Sequence, residues 1–85
     1  MRIDKYLKVA RILKKREIGK KLAESERLFI NDKIAKPSSE VKIGDIVKIE
    51  FGHREIVIRV MDVRMSASKG EAFAMYEVIE EKKED

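Results

Sequence analysis

The chain has 85 residues, no cysteine, 42 % charged residues and a formal net charge of +4. A domain of this size buries roughly 60–65 % of the surface its unfolded chain exposes, which leaves room for a binding surface but little for an enclosed substrate cavity. The absence of cysteine excludes disulfide staples, thiolate zinc sites and a cysteine nucleophile, and fits a reducing cytoplasm.

The first 21 residues hold nine lysines and arginines against Asp4 and Glu17 alone, a local charge of +7, so the rest of the chain sums to −3. Within them Ile3, Tyr6, Leu7 and Ala10 recur at the spacing of an amphipathic helix, and Asp4 suits its N-terminal end, where a carboxylate meets the positive pole of the dipole. A short link, Arg11–Lys15, leads to a second helix expected over Arg16–Glu24, with Ile18, Leu22 and Ser25 as its inner stripe. That phase turns Arg16 and Lys20 outward. It also suggests two basic flanks, Arg2 with Lys5 on one side and Arg16 with Lys20 on the other.

Past residue 26 the period changes to two. Leu28–Ile30 reads as a strand, Asn31–Lys33 as a tight turn and Ile34–Lys36 as the return strand, followed by the proline loop Pro37–Ser39. Gly44–Asp45 marks another turn, after which Val47, Ile49 and Phe51 alternate with polar residues. Gly52–Glu55 reads as a hairpin loop and Ile56, Ile58 and Val60 as the following strand. Ser66–Gly70 is expected to be a mobile loop, Met75–Ile79 a last strand, and 80–85 a frayed charged tail. The expected fold class is α+β, two N-terminal helices packed on a small, mostly antiparallel sheet. The organisation is one domain, 1–79, with that tail.

Basic side chains interleaved with apolar ones at helical spacing place the charge on a folded surface that suits a polyanion, nucleic acid first. The candidate contacts are Arg2, Lys5, Lys8, Arg11, Lys15, Arg16, Lys20, Lys33 and Lys36. Arginine meets phosphate as a planar fork and lysine as a compact charge, and the first amides of the second helix offer a further anion site. Tyr6, Phe29, Phe51 and Phe73 read as core, so base stacking is not indicated. His53 stands alone in a hairpin loop, so neither metal ligation nor acid–base catalysis is expected. No catalytic or cofactor-binding residue and no enzymatic activity are expected. No apolar run approaches the ~18 residues of a membrane span, and Met1–Asp4 does not lead into a signal-peptide core. A cytoplasmic protein without a membrane partner follows as the expectation.

The order Arg2-Ile3-Asp4-Lys5-Tyr6-Leu7, Arg11, Lys15-Arg16, Leu22, Ile30-Asn31-Asp32, Lys36-Pro37-Ser38, Val41 and Gly44-Asp45 resembles the RNA-binding domain of the ribosomal-protein-S-four type, the αL motif, over residues 2–51. The Phe51-Gly52 hairpin and the Ala74-Met75-Tyr76 ending extend the similarity to the family of RqcP and the heat-shock-fifteen ribosome factor. The resemblance implies RNA held between the helix faces and the strand loop. It also implies binding to stalled large ribosomal subunits, with large-subunit ribosomal RNA, peptidyl-tRNA and an RqcH-type tailing factor as partners, by a protein that is a monomer off the ribosome. Alternatives are heat-shock-fifteen-type recycling of obstructed subunits, or a targeting domain for an enzyme partner. Two departures concern backbone geometry: Glu26 and Asp32 stand where the family usually has glycine. A third puts Gly19 where it has alanine.

Overall fold

In the computed structural model, residues 1–83 are described and fold into helices on one face of an antiparallel sheet. The first helix, α1 (Ile3–Val9), forms where the periodic stripe demanded it: Ile3, Tyr6, Leu7 and Ala10 are all buried. Its leading amides are satisfied by the proline loop, Ile3 N–H donating to the Ser39 carbonyl at 2.7 Å and Asp4 N–H to that of Pro37 at 3.4 Å. The second helix, α2 (Arg16–Glu24), has the expected bounds but a different phase. Its buried residues are Gly19 and Ala23, while Ile18 and Ser25 are exposed and Leu22 is half-buried. Close approach explains the rotation. A β-carbon at Gly19 would sit 3.4 Å from the Asp4 Cα, so only small residues let α2 lie this close to α1.

Both helices end in the same device. After α1, Arg11 N–H donates to the Lys8 carbonyl and Ile12 N–H to that of Leu7, each at 3.1 Å. After α2, Glu26 N–H reaches Ala23 at 3.1 Å and Arg27 N–H reaches Leu22 at 2.8 Å. This is the Schellman pattern, whose turning residue is left-handed and usually glycine. Arg11 (φ 59°) and Glu26 (φ 60°) hold those positions here. Glu26→Gly should therefore stabilise the domain by about 0.5–1 kcal/mol, the relief of a left-handed side chain less the extra freedom glycine gives the unfolded chain. A thermal melt checks this: the midpoint should rise by several degrees, and an unchanged or lower one would contradict the strain.

Five strands, β1 (Leu28–Ile30), β2 (Lys33–Ile34), β3 (Ile46–Phe51), β4 (Arg54–Val60) and β5 (Tyr76–Lys83), form one sheet in the order β2-β1-β3-β4-β5, with every neighbouring pair antiparallel. A two-residue turn joins β1 (Leu28–Ile30) to β2 (Lys33–Ile34), and both its residues are left-handed, Asn31 at φ 50° and Asp32 at φ 68°. Such a turn matches the twist of a hairpin, and Asn and Asp tolerate it better than most residues. Asn31 acts as a turn residue in a second way. Its side chain accepts from Ile46 N–H at 2.9 Å and donates to Asp45 at 3.1 Å, fastening the turn to the start of β3 (Ile46–Phe51). β4 (Arg54–Val60) pairs with β3 throughout. Leu28, Val47, Ile49, Ile58 and Val60 face the helices without solvent exposure. On the opposite face the register aligns Phe29, Lys48 and Val57, with the Lys48 ammonium 4.3 Å from the Phe29 ring centre.

The C-terminal part departs most from expectation. Within the stretch expected to be mobile lies the start of a short helix, α3 (Lys69–Phe73). Ser68 Oγ accepts from Glu71 N–H at 3.2 Å and the Glu71 carboxylate accepts from Ser68 N–H at 3.0 Å, a complete capping box. Those bonds, with the Arg64 guanidinium beside the carboxylate, lower the Glu71 pKa from 4.5 to about 2. A depressed carboxylate pKa contributes stability that is complete above the unfolded value and is lost as pH falls toward the folded one. The box should therefore hold above about pH 4.5 and open between there and about pH 2. Carboxyl and amide chemical shifts of Ser68–Ala72 check the midpoint; a transition near 4.5 would contradict the box.

The last strand, β5 (Tyr76–Lys83), runs past Ile79 instead of fraying at Glu80. Glu80–Lys83 pair with Val57–Arg54, and the Arg54–Glu81 ion pair at 2.8 Å supports the extension. Of the expected tail 80–85, only residues 84 and 85 lie outside the described residues. Phe73, expected in the core, is 66 % exposed at the end of α3. Tyr6, by contrast, links the two ends of the chain: its buried hydroxyl donates to the Met75 carbonyl at 2.6 Å.

Candidate RNA-binding face

The centre of the basic surface is an acid. Asp4 is wholly buried, the only buried charged side chain among the described residues. Arg2 forks onto it, donating from Nε to Oδ1 at 3.2 Å and from Nη2 to Oδ2 at 3.1 Å. Arg16 Nε lies 3.2 Å from Oδ2, and Lys5 N–H donates to Oδ1 at 2.8 Å. Burial pushes the Asp4 pKa up, but the Arg16 guanidinium, the Lys5 amide and Arg2 together outweigh it and hold it below the usual carboxylate value.

This joins residues that the helical phase had separated. Arg2 and Arg16 do not occupy opposite flanks; they converge on one carboxylate from the starts of α1 and α2. Nor is Arg16 a free outward side chain: Arg2 is 44 % exposed and Arg16 39 %. Asp4 itself was missed as an organiser. The signal was its place three residues before Leu7, on the buried side of α1, where a carboxylate needs cationic partners.

The other candidates are spread around this centre. Lys5 is half-buried, and its ammonium comes within 3.9 Å of the Met65 sulfur. Lys8, Arg11, Lys15 and Lys20 are exposed on α1, the link and α2. Lys33 stands exposed on the short edge strand β2. Lys36 opens the proline loop, its N–H donating to Ser39 Oγ at 2.8 Å, and that loop braces the start of α1. Lys15 precedes α2 in extended conformation without a side-chain cap, so no side chain claims the first amides of α2 at that position.

Charge pairing is uneven along the chain. Among the described residues, Arg2 and Arg16 are the only basic side chains of the first 21 with an ion-pair partner, and they share one. Ion pairs are more frequent on the sheet, where Arg54 meets Glu81, Arg59 meets Glu77, Arg64 meets Asp62 and Glu71, Lys48 meets Glu50 and Lys82 meets Glu80. A cleft of about 600 Å³ at the β3–β4 hairpin is lined by Arg27, Arg54, Lys82 and Lys83 with Glu50 and Glu55, so acids offset part of its positive charge on the spot.

Two helices bearing unpaired basic residues, seated on an antiparallel sheet with a braced loop beside them, define an S4-type RNA-binding domain. The S4 domain family matches residues 1–47. Over nearly its whole length the chain is also similar to proteins named RQC P-site tRNA stabilizing factor. It is 42 % identical to that of Streptococcus pneumoniae, covering 95 % of this chain and 92 % of the relative. It is 40 % identical to that of Bacillus subtilis, covering 98 % and 96 %. Among solved structures, the trimeric structure of Vibrio cholerae heat shock protein 15 superposes with a TM-score of 0.84 at 30 % identity, covering 92 % of this chain and 80 % of that one. The chain belongs to this S4-domain family of RQC P-site tRNA stabilizing factors and heat-shock-fifteen relatives.

Proposed function

We propose that the protein is a non-enzymatic RNA-binding factor of ribosome-associated quality control. It binds large ribosomal subunits that still carry peptidyl-tRNA after stalling, contacts ribosomal RNA and tRNA, and supports RqcH-type alanine tailing of the nascent chain. It works in the cytoplasm on the ribosome and is a monomer away from it. The names of its relatives support this reading, and one observation carries it: the first 21 residues, which form α1, the link and most of α2, hold a net charge of +7 that few acids offset, while the rest of the chain sums to −3. A polyanion supplies the missing partner.

In this reading Arg2 and Arg16 meet phosphate oxygens as forks and Lys5, Lys8, Arg11, Lys15 and Lys20 add charge around them. Lys33 and Lys36 extend the surface along β2 and the proline loop. Duplex RNA is read through its backbone and shape, because its major groove is too narrow for side chains. That suits a face of cations whose one helical aromatic, Tyr6, is buried and supplies no stacking platform. Heat-shock-fifteen-type recycling of obstructed subunits is the second reading, favoured by the superposition on the Vibrio cholerae protein. Dependence of binding and tailing on an RqcH-type factor separates the two.

About five phosphate contacts release enough counterions to give a log–log salt slope of roughly −3.5 to −4.5. Fluorescence anisotropy with a labelled tRNA transcript, from low to physiological salt, should show that slope. A flat response would reject electrostatic recognition.

A further inference from the structure

Asp4 poses a problem for a purely electrostatic surface, since it places a negative charge at the middle of a cationic face. Its geometry suggests what it does there. The Lys5 amide fixes one carboxylate oxygen at 2.8 Å, and Arg2 is held to both oxygens as a fork, which claims two of its five N–H groups. Arg16 is held differently: its Nε is buried and 3.2 Å from Oδ2 but misaligned for a hydrogen bond. Charge attraction to the carboxylate orients it. Because α2 is seated at Gly19 against the Asp4 backbone, the origin of Arg16 is fixed as well. Two guanidiniums would otherwise repel each other; the carboxylate between them holds both.

We propose that Asp4 is a positioning residue, which gathers Arg2 and Arg16 into one composite fork that grips a phosphate of the bound RNA. This rests on the RNA-binding reading above. Positioning and simple charge make opposite forecasts. Asp4→Asn preserves shape and raises the net charge of +4 by one, so charge alone forecasts tighter binding to a polyanion. Positioning forecasts looser binding, because the fork loses the anion that assembles it.

The test is anisotropy of the full chain with a labelled tRNA transcript at fixed salt, well below each variant's melting midpoint. Asp4→Asn should weaken binding about tenfold in the native background and by less than twofold when Arg2 and Arg16 are already alanine. Equal or tighter binding, or the same loss in both backgrounds, would overturn the proposal. Should Asp4→Asn fail to fold, Arg16→Lys decides, since it keeps the charge but has neither the Nε nor the planar fork. It should lose nearly as much affinity as Arg16→Ala, and native affinity would overturn the proposal. The underlying reading fails separately, if Arg2→Ala/Arg16→Ala binds the tRNA as tightly as the native chain.

Discussion

Replacing Arg2 and Arg16 together by alanine should weaken binding to tRNA or large-subunit RNA by about 2–4 kcal/mol, on the order of 30- to 1,000-fold. Each single replacement should cost about 1–3 kcal/mol, as expected for charge-assisted hydrogen bonds to phosphate. The two losses should not add. Both guanidiniums share the Asp4 carboxylate, so removing either leaves the other beside a less compensated negative charge, and neighbours in one ionic network couple. The same sharing corrects what an outward-facing Arg16 would imply, that its removal costs little folding stability. A buried carboxylate that loses a cation becomes less tolerable, so each single variant should also lose about 1–3 kcal/mol of stability. Lys20, exposed on α2 with no ion-pair partner among the described residues, provides the contrast: Lys20→Ala should lower affinity modestly and leave the melt unchanged. Titration and melting on the same variants check both parts. A fall in melting with unchanged affinity for the arginine variants would show that the pair is structural only.

The second large effect lies in the core. Ile49→Ala should destabilise the domain by about 3–4 kcal/mol through lost burial and the cavity left behind. Ile49 is fully buried on the middle strand, paired with Leu28 on one side and Ile56 on the other. Native stability for a chain of this length is on the order of 4–13 kcal/mol, so the loss is a large fraction of the whole. Urea unfolding should show a much lower midpoint with little change in slope. Ile34→Ala, on the exposed edge strand, should stay within about 0.5 kcal/mol. If Ile49→Ala cost as little as Ile34→Ala, the assigned core would be wrong.

What the sequence disclosed depended on how strongly each residue signals. The α1 stripe was legible because Ile3, Tyr6, Leu7 and Ala10 are apolar at helical spacing and nothing competes with that pattern. The hairpins were legible because Asn31-Asp32, Gly44 and Gly52 are turn formers, and all four take positive φ. The phase of α2 was not legible. Its inner residues, Gly19 and Ala23, are small because the helices approach closely, and small residues carry little hydrophobic signal. Ile18 outweighed them in the pattern and proved to be exposed.

Polar interactions hid the remainder. Ser66, Ser68 and Gly70 suggested a loop, although Ser68 and Glu71 stand at the three-residue spacing of a capping box. Glu80–Lys83 looked like a solvated end because its backbone partners, Arg54–Val57, and the ion-pair partner of Glu81, Arg54, lie far earlier in the chain. For the candidate site, the residue types were visible in the basic N-terminal segment, whereas their convergence was not. A carboxylate in the first turn of a helix reads as a dipole partner, and only the fold brings Arg16 back to it across the link.

The most direct test of the central claim is gradient co-sedimentation with large ribosomal subunits carrying peptidyl-tRNA, beside empty subunits and free tRNA, for the native chain and Arg2→Ala/Arg16→Ala. The native protein should travel with the loaded subunit in preference to either other sample, and the double variant should stay at the top of the gradient. Equal binding to all three RNA samples would contradict a role on stalled subunits and leave a general RNA-binding domain in its place.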